Sequence, residues 1–278
     1  ANLSGDEKSL DLNGWVTLTN QSGIAYPDAT LQLVAGDVNR VQPPREMEDR
    51  VYMVKSMAAP APAQMAEQSL FEYHLYTLDR PTTIAANQTK QVALLSASSV
   101  PVTKELVLEG NPYYYQGSYG DIGDKLKVGV FISFDNKEAN HLGMPLPKGI
   151  IRVYKQDSEG RAQFVGEDSV DHTPKNETVK LKLGESFDVT GHRKQTDYKD
   201  LGRDGKRRQV SESAYEIRLK NAKKDAQTVI VREPIPGDWE MVSSSLPFTK
   251  PASGTAEFKV PVPAEGETVL TYRVRVKW

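Results

Sequence analysis

A period of two runs through this chain and limits what it can become. At the C-terminus Leu270, Tyr272, Val274, Val276 and Trp278 alternate with Thr271, Arg273, Arg275 and Lys277. Successive side chains of a β-strand point to opposite faces, so this segment reads as a strand with one buried and one wet face. The same pattern recurs in Leu126, Val128, Val130, Ile132 and Phe134, in Tyr215, Ile217 and Leu219, in Val179, Leu181 and Leu183, and in Ala256, Phe258, Val260 and Val262. Further strand-like stretches lie at Trp15–Thr19, Thr30–Val34, Phe71–Thr77, Gln91–Leu95, Glu105–Leu108 and Ile150–Tyr154. No segment keeps a 3.6-residue period over three turns; a short helix is expected only at Gln64–Leu70. Many short strands between Gly, Pro, Asn and Asp turns favour sandwiches over βαβ units. The expected fold is all-β, with two tandem antiparallel β-sandwich domains of immunoglobulin-like type. Trp15, Phe134, Tyr215, Phe258 and Tyr272 are expected in the cores.

Domain limits follow from length and from breaks in the pattern. At roughly 150 residues per domain, 278 residues make about two domains. The break is placed at Gly117–Asp124, where three glycines and two aspartates separate β-patterned halves, giving domains 1–120 and 121–278. Residues 42–68, with Pro43, Pro44, Pro60, Pro62 and a Met/Ala-rich run, are expected to form a long exposed loop, with partner binding by strand addition as the functional alternative. An internal echo is visible in WVTLTNQSG (Trp15–Gly23), VFISFDNKEA (Val130–Ala139) and YEIRLKNAKK (Tyr215–Lys224). Each is an alternating strand, then Asn, then a polar turn; Asn suits that exit because it tolerates left-handed backbone and bonds neighbouring main chain. The alternative is three ordinary strand ends.

Composition excludes several classes of function. There is no cysteine, hence no disulfide, thiol catalysis, iron–sulfur cluster or Cys-type zinc site. Lys plus Arg number 35 and Asp plus Glu 37, a net charge of −2 that gives no general attraction for nucleic acid or an anionic membrane. The longest apolar runs, Val51–Val54 and Val92–Leu95, are far short of the ~20 residues of a membrane helix. Lysine-rich outward faces also argue against an outer-membrane barrel, whose strands need recurring lipid-facing apolar bands. The first residue is Ala, so the chain is expected to be processed or a fragment. Glycosylation sequons occur at Asn2, Asn20, Asn87 and Asn176, relevant only in a eukaryotic secretory pathway.

Three clusters carry chemically capable residues. GEDSVDHTPKNE (Gly166–Glu177) packs Glu167, Asp168, Asp171, His172 and Glu177 into a short span. Asp168, Asp171 and His172 are the metal-ligand candidates, and Asp171 beside His172 is an acid–base candidate. The bland reading is a turn in which Asp168, Asp171, His172 and Thr173 bond the main chain ahead of Pro174. GNPYYYQGSYGD (Gly110–Asp121) offers Tyr113, Tyr114, Tyr115 and Tyr119 as binding candidates for sugar rings or a protein surface, or as cover for a domain seam. The run from His192 to Arg208, with seven Lys/Arg and three Asp, reads as a solvated hairpin turning at Asp204-Gly205, with an anionic partner as the alternative. His74 is read as a strand histidine. No nucleotide-binding, hydrolase-elbow or zinc-protease motif accompanies these clusters, so no catalytic residue and no cofactor are assigned.

The phrases GWVTLTNQSGIAYPDATLQLVAGDVNRV (Gly14–Val41), FEYHLYTLDRPTTIAANQTKQVALL (Phe71–Leu95) and LPKGIIRVYKQDSEGRAQFVGEDSVDHTPKNE (Leu146–Glu177) make the chain resemble the C-terminal domain of unknown function of bacterial mucoidy-inhibitor-like proteins. The resemblance covers nearly the whole chain. It implies a periplasmic or envelope location and an excised C-terminal region, since family members carry a signal peptide, an N-terminal domain and often a coiled coil beforehand. It implies no activity and no catalytic residue. The expected function is a non-catalytic envelope module binding a protein or a glycan. The alternatives are a metal-dependent hydrolase centred on residues 167–172 and a structural spacer presenting an N-terminal region.

Overall fold

The structure, a computed structural model, describes residues 1–36, 65–206 and 208–278. These residues form strands, two short 3-10 turns and no α-helix. In chain order the first strands are β1 (Asn2–Leu3), β2 (Ser9–Thr19), β3 (Tyr26–Ala29), β4 (Gln32–Ala35), β5 (Met65–Leu70), β6 (Tyr73–Leu78), β7 (Thr82–Ile84), β8 (Thr89–Pro101), β9 (Thr103–Glu109) and β10 (Asp121–Asp135). They are followed by β11 (Gly149–Gln156), β12 (Ala162–Val170), β13 (Thr178–Arg203), β14 (Gln209–Asn221), β15 (Gln227–Pro234), β16 (Asp238–Ser244), β17 (Phe248–Ala252), β18 (Thr255–Val262) and β19 (Gly266–Lys277).

The chain forms two compact units that are interleaved in sequence. Unit 1 comprises Ala1–Thr103 with Ser133–Leu181, and unit 2 Lys104–Ile132 with Lys182–Trp278. The expected break after residue 120 falls inside unit 2, where Gly117–Asp124 leads into β10. Unit 1 holds a five-stranded sheet in the order β12-β11-β1-β2-β8, a three-stranded sheet β4-β6-β5 and the pair β3-β7. Unit 2 is built on a nine-stranded sheet, β16-β19-β14-β13-β10-β9-β15-β18-β17. Among the described residues β1 runs parallel to β11 and β9 parallel to β15, in departure from the expected antiparallel scheme.

Alternation places the core of unit 2. Tyr215, Ile217 and Leu219 on β14 and Leu270, Tyr272 and Val274 on β19 are buried, with Phe258 and Val260 of β18. Tyr215 and Tyr272 stand directly opposite each other and stack, centroids 5.1 Å apart. Tyr272 also stacks on Phe258, at 5.4 Å. Since β18 and β19 are far apart in the sheet order, this contact means that the sheet folds back on itself. Phe134, in unit 1, is buried as expected.

Trp15 is not buried: it is 58% exposed. Leu10 and Leu12 of β2 are buried, and Trp15 stands at odd spacing from them, so it shares the outer face with Thr17 and Thr19. The expected helix at Gln64–Leu70 is also corrected. Met65–Leu70 is a strand, although Ala, Glu and Gln favour helix, because it pairs along its length with β6. Of the expected loop at 42–68, residues 42–64 lie outside the described residues and 65–68 belong to β5.

The three-fold echo has an atomic counterpart. Asn20, Asn136 and Asn221 each close a strand with the same three side-chain bonds. Asn20 Nδ2 donates to the carbonyls of Ile24 (2.7 Å) and Ala85 (3.0 Å), and its Oδ1 accepts the Ser22 amide (3.1 Å). Asn221 Nδ2 donates to Asp225 and Pro263, both 2.9 Å, and its Oδ1 accepts the Lys223 amide (3.0 Å). Asn136 does the same across a longer loop, to Met144 (2.8 Å), Pro174 (3.0 Å) and the Gly143 amide (3.0 Å). In each case the distant carbonyl lies just before the neighbouring strand of the sheet: β8 for Asn20, β13 for Asn136 and β19 for Asn221. None of the three has positive φ, so bonding capacity, not left-handed tolerance, selects Asn. Asn136 and Asn221 are buried, and their removal leaves main-chain groups unpaired. Asn136→Ala and Asn221→Ala should each lose about 1–3 kcal/mol in urea titrations, and the half-exposed Asn20→Ala less. Equal, negligible losses at all three sites would contradict this reading.

Candidate functional site

The tyrosine segment of unit 2 is built over a buried ion pair. Asn111 caps a 3-10 turn at Pro112–Tyr115 by accepting the Tyr113 amide, with Pro112 supplying the fixed φ that opens it. The turn carries Tyr115 inward, where it is fully buried, and leaves Tyr113 46% and Tyr119 44% exposed. Of the four tyrosine candidates, Tyr115 is therefore a core residue, Tyr114 is half-buried, and Tyr113 and Tyr119 form the accessible part.

Beneath them lie Arg193 of β13 and Glu233 of β15, both fully buried. Their contact is a two-pronged fork, Nη2 to Oε1 at 2.7 Å and Nη1 to Oε2 at 3.0 Å. The Tyr115 hydroxyl donates to Glu233 Oε2 at 2.8 Å. Its one proton is thereby used, so the 3.0 Å contact with Tyr272 is donated by the Tyr272 hydroxyl. The ring of Tyr114 covers the guanidinium, whose carbon lies 4.9 Å from the centroid. Burial pushes Glu233 above the usual carboxylate range, opposed by Arg193 and Tyr115. Burial, the largest influence on Arg193, disfavours its charge, but Glu233 together with Tyr272, Tyr115 and Tyr114 outweighs it and raises the guanidinium above its ordinary value. Burial raises Tyr115 and Tyr272 well above the ordinary phenol value and pushes Tyr215 up to about 12, so all three stay protonated donors at neutral pH.

Gln195, two residues beyond Arg193 on the same face of β13, clamps the segment from below. Its Nε2 donates to the Gly117 carbonyl at 2.9 Å and its Oε1 accepts the Tyr119 amide at 2.7 Å. The Tyr215 hydroxyl donates to the Tyr114 carbonyl at 2.6 Å. Main chain and side chains thus fix the backbone from Tyr114 to Gly120, and the outer rings inherit that order. Tyr113 meets Tyr114 edge-on at 4.6 Å and Tyr119 at 5.7 Å. His192 and Asp121 border this surface, with His192 Nε2 3.1 Å from Asp121 Oδ1.

Arg193, Gln195 and Glu233 were not among the residues that sequence reasoning singled out. The run from His192 to Arg208 is a hairpin arm turning at Asp204, whose Oδ1 accepts the Lys206 and Arg208 amides. It is not solvated throughout, for Arg193 and Gln195 point inward. The signal was parity: Arg193 and Gln195 fall in step with buried Val189, and Glu233 with buried Val229 and Val231. Charges on the apolar parity of two strands are the mark of a buried pair.

The acidic cluster is arranged differently. His172 Nδ1 accepts the Lys148 amide at 3.3 Å, the Thr173 hydroxyl donates to the Asp171 carbonyl at 2.8 Å, and Asp168 Oδ1 accepts the Ser169 amide at 2.8 Å. Leu146 and Thr173 form an isolated bridge beside it. Asp168, Asp171 and His172 are not brought together: among the described residues no group of three or more His, Asp or Glu is placed to hold a metal ion. His74 Nδ1 lies 2.7 Å from Glu67 Oε1 on the neighbouring strand. No helix among the described residues is long and apolar enough to cross a membrane.

Gly110 sits against the ion pair. A Cβ there would fall on Glu233 Oε2 and within 2.9 Å of Arg193 Nη1. Gly110→Ala should therefore cost about 1–3 kcal/mol and perturb the near-ultraviolet dichroism of the tyrosines. Gly205→Ala, whose Cβ meets nothing within 4 Å, should stay within about 0.5 kcal/mol of wild type. Equal stabilities and spectra for the two variants would contradict the packing described.

No curated protein and no solved structure matches the chain. The model of the domain of unknown function DUF4139 matches residues 1–278, and the chain therefore belongs to the DUF4139 family.

Proposed function

We propose that the chain is a non-catalytic binding module of the bacterial cell envelope, recognising an envelope protein or glycan through Tyr113 and Tyr119. The observation that carries this reading is the pairing of two exposed, edge-packed rings with a backbone fixed from beneath by Gln195, Tyr215 and the Arg193–Glu233 pair. Rigid aromatics with a polar tip give contact area at little entropic cost, since their rings are ordered before a partner arrives. Glu233, the Tyr115 hydroxyl and the two terminal nitrogens of Arg193 are buried and bond one another, so they support the surface without touching a ligand.

The envelope location rests on the resemblance of Gly14–Val41, Phe71–Leu95 and Leu146–Glu177 to mucoidy-inhibitor-like proteins. The same reading takes the units as immunoglobulin-like sandwiches, supported in unit 2 by the stacking of Phe258 on Tyr272. Such scaffolds commonly carry recognition on the loops and short turns between strands.

Co-sedimentation with a washed bacterial envelope fraction tests the reading. The wild-type chain should pellet with the fraction, and Tyr113→Ala/Tyr119→Ala should remain several-fold more in the supernatant with an unchanged melting temperature. Protease or muramidase pretreatment of the fraction then separates a protein ligand from a glycan. Equal pelleting of the two chains would remove the tyrosines from recognition. No pelleting of either would favour the spacer reading.

A further inference from the structure

The five-stranded sheet of unit 1 contains an open slot, and its walls are two strands of that sheet. β1 is two residues long yet lies in the middle of the order, between β11 and β2. It holds them together only at Asn2 and Leu3, opposite Asp11 and Leu10 on one side and Tyr154 and Lys155 on the other. Past Ala1 the two walls continue with no strand of the described residues between them. A cleft of about 640 Å³ lies there, lined by Leu12–Thr17 of β2 and Gly149–Arg152 of β11, with Tyr76 and Leu146 among its apolar surfaces.

The register of β1 extends into this slot without adjustment. Ala1 already makes the parallel bonds: its nitrogen donates to the Arg152 carbonyl at 2.6 Å, and its carbonyl accepts the Tyr154 amide at 2.9 Å. Continuing the pairing backwards, a residue joined to the Ala1 nitrogen stands opposite Asn13 and Arg152. The three before it stand opposite Gly14, Trp15 and Val16 on β2, and Ile151, Ile150 and Gly149 on β11. The Ser4 amide bonds the Ser9 carbonyl, so by antiparallel alternation the main-chain groups of Asn13 and Trp15 point into the slot. On the parallel side the Arg152 amide and the Ile150 carbonyl are next in line. Neither wall has another strand partner on this side among the described residues.

A second observation comes from the side chains. Trp15 is 58% and Ile150 62% exposed, and in this register both flank one strand position, the third residue before Ala1. Two large apolar side chains on opposite walls of one slot, each bare, are what a sheet shows where a strand belongs.

We propose that this slot receives a further β-strand of about four residues as the N-terminal continuation of β1. The occupant is polypeptide joined to the Ala1 nitrogen, running parallel to β11 and antiparallel to β2. The residues second and fourth before Ala1 share the inward face with Ala1 and Leu3 and require apolar side chains. The first and third face outward, the third over Trp15 and Ile150. The cleft is thus a strand site and not a small-molecule pocket, and it is separate from the tyrosine surface assigned to recognition.

The test is to extend the full chain at Ala1 with Val-Thr-Val-Thr, with Gly-Ser-Gly-Ser, or with Val-Thr-Pro-Thr, and to follow amide hydrogen exchange residue by residue. Val-Thr-Val-Thr should slow exchange at Asn13, Trp15 and Arg152 at least tenfold relative to Gly-Ser-Gly-Ser and raise the melting temperature. Val-Thr-Pro-Thr should not, because proline removes the amide aimed at the Ile150 carbonyl. Equal exchange in all three chains would overturn the proposal. Protection of the same amides by acetyl-Val-Thr-Val-Thr-amide added to the unextended chain, as strong as in the fused form, would overturn the assignment to joined polypeptide in favour of a separate strand.

Discussion

Unit 2 depends on one buried charge pair. Taking a guanidinium and a carboxylate out of water costs several kcal/mol per ion, and mutual attraction repays it only with good geometry and every remaining lone pair occupied. Arg193 and Glu233 meet most of these terms through a two-pronged contact, the Tyr115 hydroxyl and the covering ring of Tyr114, while Arg193 Nε stays buried without a hydrogen-bond partner. The pair therefore dictates its surroundings. Gly110 has no room for a side chain, Tyr115 must turn inward, and the backbone that follows must stay where Gln195 and Tyr215 can reach it. The position of the exposed Tyr113 and Tyr119 is the outer consequence of this inner requirement.

A continuous set of rings carries that order across the core. Trp239 packs on Phe248, Phe248 on Phe258, Phe258 on Tyr272, Tyr272 on Tyr215 and Tyr215 on Tyr115, each pair with centroids about 5–6 Å apart. The ion pair is thus coupled through Tyr115 and Tyr272 to the apolar packing of the folded sheet. Polar and apolar stabilisation meet on the same two side chains.

Much of this was legible in the sequence, because a strand writes its faces at alternate positions. Phe134, Tyr215, Phe258 and Tyr272 were placed correctly on that basis. Trp15, expected on the apolar face of its strand, lies on the outer face instead, at odd spacing from buried Leu10 and Leu12. The same parity marked Arg193 and Glu233 as inward, yet a run of seven basic residues drew attention to the surface. The interleaving of the units was not legible at all. It depends on pairings such as β1 with β11, whose partners lie about 150 residues apart and leave no local pattern. The asparagine ties lie between these extremes: the repeated strand, Asn and turn could be read, but not which carbonyls each amide would reach.

A shared demand explains the ties and the slot in unit 1. Main-chain groups removed from water must be paired, and the chain meets this with asparagine where strands end and with neighbouring strands elsewhere. Where β2 and β11 continue beyond Ala1, a further strand would meet it.

The central claim is that the Arg193–Glu233 pair orders the tyrosine surface, and a double-mutant cycle measures it most directly. Arg193→Met and Glu233→Met should each lose about 3–5 kcal/mol, since each leaves its partner charge buried alone, and the double variant should lose clearly less than the sum. In the singles the ring resonances of Tyr113 and Tyr119 should collapse towards averaged positions. Additive losses, or single variants within 1 kcal/mol of wild type with unchanged tyrosine resonances, would contradict the claim.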